Sequence, residues 1–185
     1  MPRLFTGIEI PQSIRDTLAL KQSGLPNVRW INPSDFHLTL RFIGDVNHGT
    51  ANEIVEILHR RKWSAPYIRI GELRSFGGKK PTAIFASVDA DPNLSRLVQN
   101  QENIMQGLGL PPDSRRFTPH VTIGRCKNLS PAALAQYLSH SGFAAPNMEF
   151  TPNRFVLFSA RDSRGGGPYR VEETWEFDRQ QELVT

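Results

Sequence analysis

The sequence predicts an α+β fold in which one strand–helix unit is used twice, its two copies facing each other across a central cleft. Three observations carry this. The pattern His-x-Thr plus an aliphatic residue occurs twice, as His37-Leu38-Thr39-Leu40 and His120-Val121-Thr122-Ile123. Each copy lies in a run rich in β-branched, aromatic and aliphatic residues, FHLTLRFIG and RFTPHVTIGR, which reads as a strand. Neighbouring signals recur at a near-constant offset: Pro11 and Pro92 stand 81 residues apart, His37 and His120 stand 83, and Thr50 and Ser130 stand 80. A duplicated unit packs about a pseudo-twofold axis, which brings the two motif strands together.

The elements follow in order. Residues 4–10 read as a buried strand. Pro11 suits the first turn of a helix with Ile14 and Leu18 on one face, ending before Gly24. Residues 28–31 form a short strand, and residues 36–43 form the first motif strand, stopped by Gly44. Thr50-Ala51-Asn52-Glu53 reads as a capping box, with Ile54, Ile57 and Leu58 as the apolar face behind it. A strand over 67–76 ends in a turn over 77–81.

The pattern then restarts. A strand covers 83–88, and Asp91-Pro92 opens a helix with Leu94, Leu97, Val98, Ile104 and Met105 on one side. A loop over 107–115 leads to the second motif strand, 117–124. Ser130-Pro131 starts a helix carrying Leu134, Tyr137 and Leu138. A strand over 148–159 is interrupted by Pro152, a glycine-rich turn spans 164–168, and residues 169–177 close the chain before a frayed tail at 180–185. The halves are 3–76 and 82–159, within a single domain over 1–185.

Composition narrows the class. A chain of 185 residues with 38% hydrophobic and 22% charged residues is ordinary for one globular domain. The net charge of +4 and pI near 9.6 suit a polyanionic partner without requiring one. One cysteine, Cys126, excludes an intramolecular disulfide and a cysteine-based zinc site, so a reducing cytoplasm is the expected location. No stretch approaches a membrane span or a signal peptide.

On a strand, residues i and i+2 share a face. His37 with Thr39, and His120 with Thr122, therefore point into the cleft, while Leu38, Leu40, Val121 and Ile123 face the core. Imidazole titrates near neutrality, so one ring can accept a proton while the other donates one. Displacement at a phosphodiester needs both roles on opposite sides of phosphorus, and the hydroxyls can bond the non-bridging oxygens. A metal site is a weaker reading, because no carboxylate or cysteine lies inside either motif. Neither a G-x-S-x-G nor a phosphate-binding G-x-x-x-x-G-K-[ST] pattern is present. His48, His59 and His140 read as solvent-facing.

The paired HLTL and HVTI motifs in these contexts resemble the 2H phosphoesterase superfamily, and within it the RNA 2′,3′-cyclic phosphodiesterases, also called 2′-5′ RNA ligases. The opening IEIP, the SFG at Ser75–Gly77 and the closing GGPYRV fit the same pattern. The resemblance implies a bilobal fold, two antiparallel sheets flanked by helices, and metal-independent chemistry with no cofactor. It implies opening of a terminal 2′,3′-cyclic phosphate to a 2′-phosphomonoester, with weak 2′-5′ joining in reverse. It also implies His37 as acid, His120 as base, and Arg125 in the site. RNA ends or nucleotide cyclic phosphates are the expected partners of a monomer. The same chemistry on small cyclic nucleotides or 2′-5′ oligonucleotides, or RNA binding without turnover, are the competing functions.

Strict alternation qualifies two positions. Arg41, four residues after His37, shares the histidine's face and is a candidate substrate contact. Arg125, five after His120, points away unless Gly124 admits a bulge. Phe42 has odd parity and reads most simply as core, with base stacking as the other reading. Arg29, Arg60, Arg61, Lys62, Lys79, Lys80, Arg115 and Arg116 are scattered along the chain, so sequence alone does not gather them into one track.

Overall fold

The computed structural model describes residues 3–89, 91–113, 116–140, 148–160 and 167–178. Arg115 and parts of the expected 107–115 loop and 164–168 turn, together with the 180–185 tail, lie outside the described residues. The α+β expectation holds. The strands are β1 (Arg3–Glu9), β2 (Val28–Trp30), β3 (His37–Asp45), β4 (Ile68–Phe76), β5 (Ala83–Asp89), β6 (His120–Cys126), β7 (Glu149–Phe150), β8 (Arg154–Ala160) and β9 (Tyr169–Glu176). The helices are α1 (Gln12–Ala19), α2 (His48–His59), α3 (Pro92–Gly107) and α4 (Pro131–His140), and a 3₁₀ turn over Pro33–Asp35 precedes β3. Among the described residues no helix is long and apolar enough to cross a membrane.

All the strand pairs are antiparallel, in the order β7-β4-β5-β6-β3-β1-β8-β9 with β2 beside β6. The two expected sheets are thus the halves of one nine-stranded sheet, joined where Leu38 of β3 faces Val121 of β6. Each sheet half also borrows from the other half of the chain. β8 lies against β1, while β4 lies against β5, so residues 3–76 and 82–159 each give strands to both.

Local chemistry sets most boundaries. Asp91 caps α3, its carboxylate accepting from the Asn93 and Leu94 amides at 2.8 and 3.1 Å. Thr50 does not cap α2. The helix starts earlier, at His48, with Asn47 accepting from the Thr50 amide at 2.9 Å. Asn47 and Ser130, whose hydroxyl accepts from the Ala133 amide, stand 83 residues apart, as the two histidines do. The expected strand over 148–159 is split around Pro152, which cannot donate to a ladder.

Of two apolar clusters among the described residues, the smaller is Phe5, Val156 and Phe158, and the larger lies between the sheet and the helices. It joins Leu38, Leu40, Val121 and Ile123 of the motif strands to Ile14, Leu18, Ile54, Leu58, Leu94, Leu97 and Met105 of the helices. At β2 the fit is tight. A Cβ on Gly124 would sit 2.8 Å from Val28 Cγ1 and 2.9 Å from the Trp30 ring. Gly124→Ala should therefore push β2 off β6 and cost about 1–3 kcal/mol, the usual scale of overpacking. Urea titration of the two proteins measures this, and unchanged stability would show that β2 yields freely.

Candidate active site

The motif strands converge on a cleft of about 890 Å³ lined by His37, Thr39, His120, Thr122, Arg125 and Arg41, with Phe42, Arg3 and Arg116 among its walls. Running antiparallel through Leu38 and Val121, the strands direct Thr39 towards His120 and His37 towards Thr122. Each hydroxyl is thus carried to the other motif's imidazole. His48, His59 and His140 lie on the exposed helix ends of α2 and α4, as expected.

Both rings are held the same way. His37 Nδ1 lies 2.7 Å from the Asp35 carbonyl, and His120 Nδ1 lies 2.6 Å from the Thr118 carbonyl. A carbonyl can only accept, so in the neutral rings the proton sits on Nδ1 and Nε2 is left with its lone pair. An aromatic pair backs each ring. Phe158 stacks on Phe5, which lies 5.0 Å from His37, while Phe76 stacks on Phe85, which lies 5.2 Å from His120. Tyr169 adds an edge-on contact to His37 at 4.9 Å. Sequence reasoning missed these aromatics, because Phe5, Phe76, Phe85 and Phe158 come from four strands and meet only through the sheet register.

The residues after the motifs break the simple alternation. In β3 the partners jump from Gly7↔Thr39 to Thr6↔Arg41, leaving Leu40 as an extra residue. In β6 they jump from Phe85↔Thr122 to Ile84↔Gly124, leaving Ile123 extra. Each is a β-bulge, and beyond it the faces exchange. Arg41, expected on the histidine's face, pairs instead with Thr6 across the bulge and runs to α3 at the wall of the cleft. It is 6% exposed, paired through Nε with Glu102 of α3, and donates from Nη2 to the Pro111 carbonyl at 2.7 Å. Phe42, expected in the core, turns to the cleft and stacks on Phe5 at 6.4 Å, with the Arg3 guanidinium 5.2 Å from its ring. Arg125, which strict alternation alone would turn away and which the resemblance puts in the site, pairs with cleft-lining Ala83 and itself lines the cleft. Ile123, not Gly124, supplies the bulge.

The bulges are secured by side chains. The Ile123 carbonyl accepts from Gln22 Nε2 and the Ile31 amide, both at 2.9 Å, so this carbonyl is satisfied outside the ladder. Beside the Arg41 carbonyl, 3.4 Å away, the Thr6 hydroxyl donates to Gln101 Oε1 of α3 at 2.5 Å. Burial alone would raise the Glu102 carboxyl, but Gln106, the Asp113 amide and Arg41 together hold it below its ordinary range. Arg41 is thus engaged in fastening α3 and the loop beyond it to β3.

Electrostatics distinguish the first ring. Burial lowers His37 from 6.5 to about 4, against the raising effect of the Asp35 carbonyl, with further lowering from His120 and Arg125. His37 is therefore neutral in the empty cleft at pH 7. Because the folded value lies below the unfolded one, its contribution to stability is present above pH 6.5 and lost as pH falls towards 4. His37→Gln should remove that loss. The stability gap between variant and parent, followed by urea titration from pH 7 to pH 4, should move in the variant's favour. A pH-independent gap would contradict the assignment. Among the described residues no three His, Cys, Asp or Glu side chains gather as a metal site.

A duplicated α+β sheet with one imidazole from each half at its seam defines a two-histidine cleft protein. The chain belongs to the 2′-5′ RNA ligase superfamily, whose model matches residues 12–164. It is 31% identical to an RNA 2′,3′-cyclic phosphodiesterase of Aeropyrum pernix over 62% of this chain, spanning 64% of that relative, which is under two thirds of its length. It is 26% identical to an RNA 2′,3′-cyclic phosphodiesterase of Thermotoga maritima over 95% of this chain and 96% of that one. E. coli LigT complexed with 3′-AMP shares the fold, with a TM-score of 0.76 at 20% identity over 96% and 99% of the two chains.

Proposed function

We propose that this cleft opens 2′,3′-cyclic phosphates at RNA ends to a 2′-phosphomonoester and a free 3′-hydroxyl, using His37 and His120 as an acid–base pair and no metal ion. The observation that carries the reading is the matched pair of imidazoles, each tied through Nδ1 to the carbonyl two residues upstream, one on either side of the Leu38–Val121 seam. Water attacks phosphorus in line with the P–O3′ bond while the base takes its proton. The bond breaks, and the acid delivers a proton to O3′. Thr39, Thr122 and Arg125 meet the charge gathering on the non-bridging oxygens. The names of the relatives support RNA as the substrate, and the bound 3′-AMP of the E. coli neighbour supports a nucleotide phosphate in the cleft.

His37 as acid requires a proton that it lacks in the empty cleft. The substrate supplies the reason to take one up. A phosphodiester anion between the rings opposes the repulsion from Arg125 and favours the charged imidazole. The acid can be identified with a cyclic substrate carrying sulfur in place of O3′, because a thiolate leaves without a proton. That substrate should restore turnover to His37→Ala and not to His120→Ala. Rescue of His120→Ala alone would reverse the order. With a 5′-hydroxyl attacking the same phosphorus in place of water, the P–O3′ bond breaks in the same way and a 2′-5′ linkage forms, so the joining of ends is expected as a weak activity.

The direct test is an oligoribonucleotide ending in a 2′,3′-cyclic phosphate, incubated with EDTA and without ATP. Phosphorus NMR should show a 2′-phosphate. A requirement for a divalent ion would contradict the metal-free reading, and an exclusive 3′-phosphate would contradict the substrate orientation. Arg125→Lys should be impaired almost as much as Arg125→Ala, since lysine cannot offer a two-point contact to phosphate. A lysine variant close to the parent would place Arg125 outside the reaction.

A further inference from the structure

The two histidines share one sequence motif and one hydrogen-bonding pattern, yet their surroundings differ upstream. Asp35 supplies the carbonyl to His37, while Thr118 fills the same place before His120. The Asp35 backbone is set within the 3₁₀ turn. Its amide donates to the Asn32 carbonyl at 2.8 Å, the Asn32 side chain caps the turn by accepting from the Ser34 amide at 3.0 Å, and the next residue, Phe36, is buried. The Asp35 carboxylate then reaches out of the turn and accepts from the Tyr169 amide at 3.1 Å, at the start of β9.

The chain has been shaped to receive that carboxylate. Gly167, at φ +80°, lies so close that a Cβ there would run into it. The Tyr169 ring meets His37 edge-on at 4.9 Å. One residue therefore holds His37 through its own carbonyl and, through its carboxylate, the backbone that carries the neighbouring aromatic ring.

We propose that Asp35 is a positioning residue for His37, clasping the Gly167–Tyr169 backbone so that the imidazole is held in a single tautomer and direction. This rests on the two-histidine reading and deepens it by naming what steers one of the pair. Thr118 bears no carboxylate, so the clasp belongs to the first motif and makes two otherwise matched imidazoles unequal. The functional requirement is geometric, because a small misplacement of a reacting group removes a large part of its effect.

The test compares Asp35→Ala with Asp35→Asn. Asparagine keeps an acceptor for the Tyr169 amide and alanine does not. Nitrogen-15 NMR of the His37 ring in the ligand-free protein should show the Nδ1–H tautomer in the parent and in Asp35→Asn, and a mixture of tautomers in Asp35→Ala. With the cyclic-phosphate oligoribonucleotide, Asp35→Ala should lose roughly tenfold in kcat with KM nearly unchanged, and Asp35→Asn should stay close to the parent. An unchanged tautomer in Asp35→Ala would overturn the proposal, as would equal loss of kcat in both variants. The ring measurement needs no substrate, so it tests the clasp even if the cyclic phosphate is not turned over.

Discussion

Leu38 and Val121 face each other where β3 meets β6, both fully buried, and this one register pair joins the halves of the sheet. The cleft depends on it. Sliding β3 against β6 by one residue would turn every side chain of one motif to the other face, taking an imidazole out of the cleft and putting a leucine or valine in. The pair is backed by the common apolar core, where the helices of both halves contribute Ile54, Leu58, Leu94, Leu97 and Met105. Burial of this kind is worth about 1.5–3 kcal/mol for each large aliphatic side chain, so the register is held by far more than its own hydrogen bonds. The exchange of β4 and β8 between sheet halves ties the two sides together again, one strand in from each edge.

The bulges then differentiate what the seam makes symmetric. Leu40 and Ile123 hold the same place in their motifs, and each shifts the following residues to the opposite face. The outcome is unequal because the residues are unequal. Phe42 comes to the cleft on one side and Arg125 on the other, while Arg41 runs to α3 at the cleft wall and Gly124 lies against Trp30. One becomes an ion pair with Glu102 that fastens α3, and the other a gap that admits Trp30. A cleft with an aromatic ring at one end and a guanidinium at the other has a direction, which a duplicated unit by itself does not provide.

Much of this was legible in the sequence. The two motifs, the offset between them and the strand–helix order follow from hydrophobic period, caps and turn residues, and they place His37, Thr39, His120 and Thr122 together. The fates of Arg41 and Phe42 were not legible, and Arg125 was placed in the site only by resemblance, because alternation assumes one residue per register step and a bulge adds one without a signature in side-chain chemistry. The start of α2 was displaced for a related reason. Asn47 and Thr50 are both good caps, and His48 and Gly49 between them give no propensity signal strong enough to decide. The aromatic backing of each ring and the Asp35 clasp were invisible for a different cause: they join residues from strands that are distant in sequence.

The central claim is that His37 and His120 act as one unit across the seam. Single-turnover rates of cyclic-phosphate opening in His37→Ala, His120→Ala and the double variant test it most directly, because groups that act together in one transition state are not additive when removed. Each single substitution should lower the rate by at least about a hundredfold, the scale for a positioned acid or base, and the double variant should fall little further. Near-parental turnover in either single variant, or losses that multiply in the double, would contradict the account.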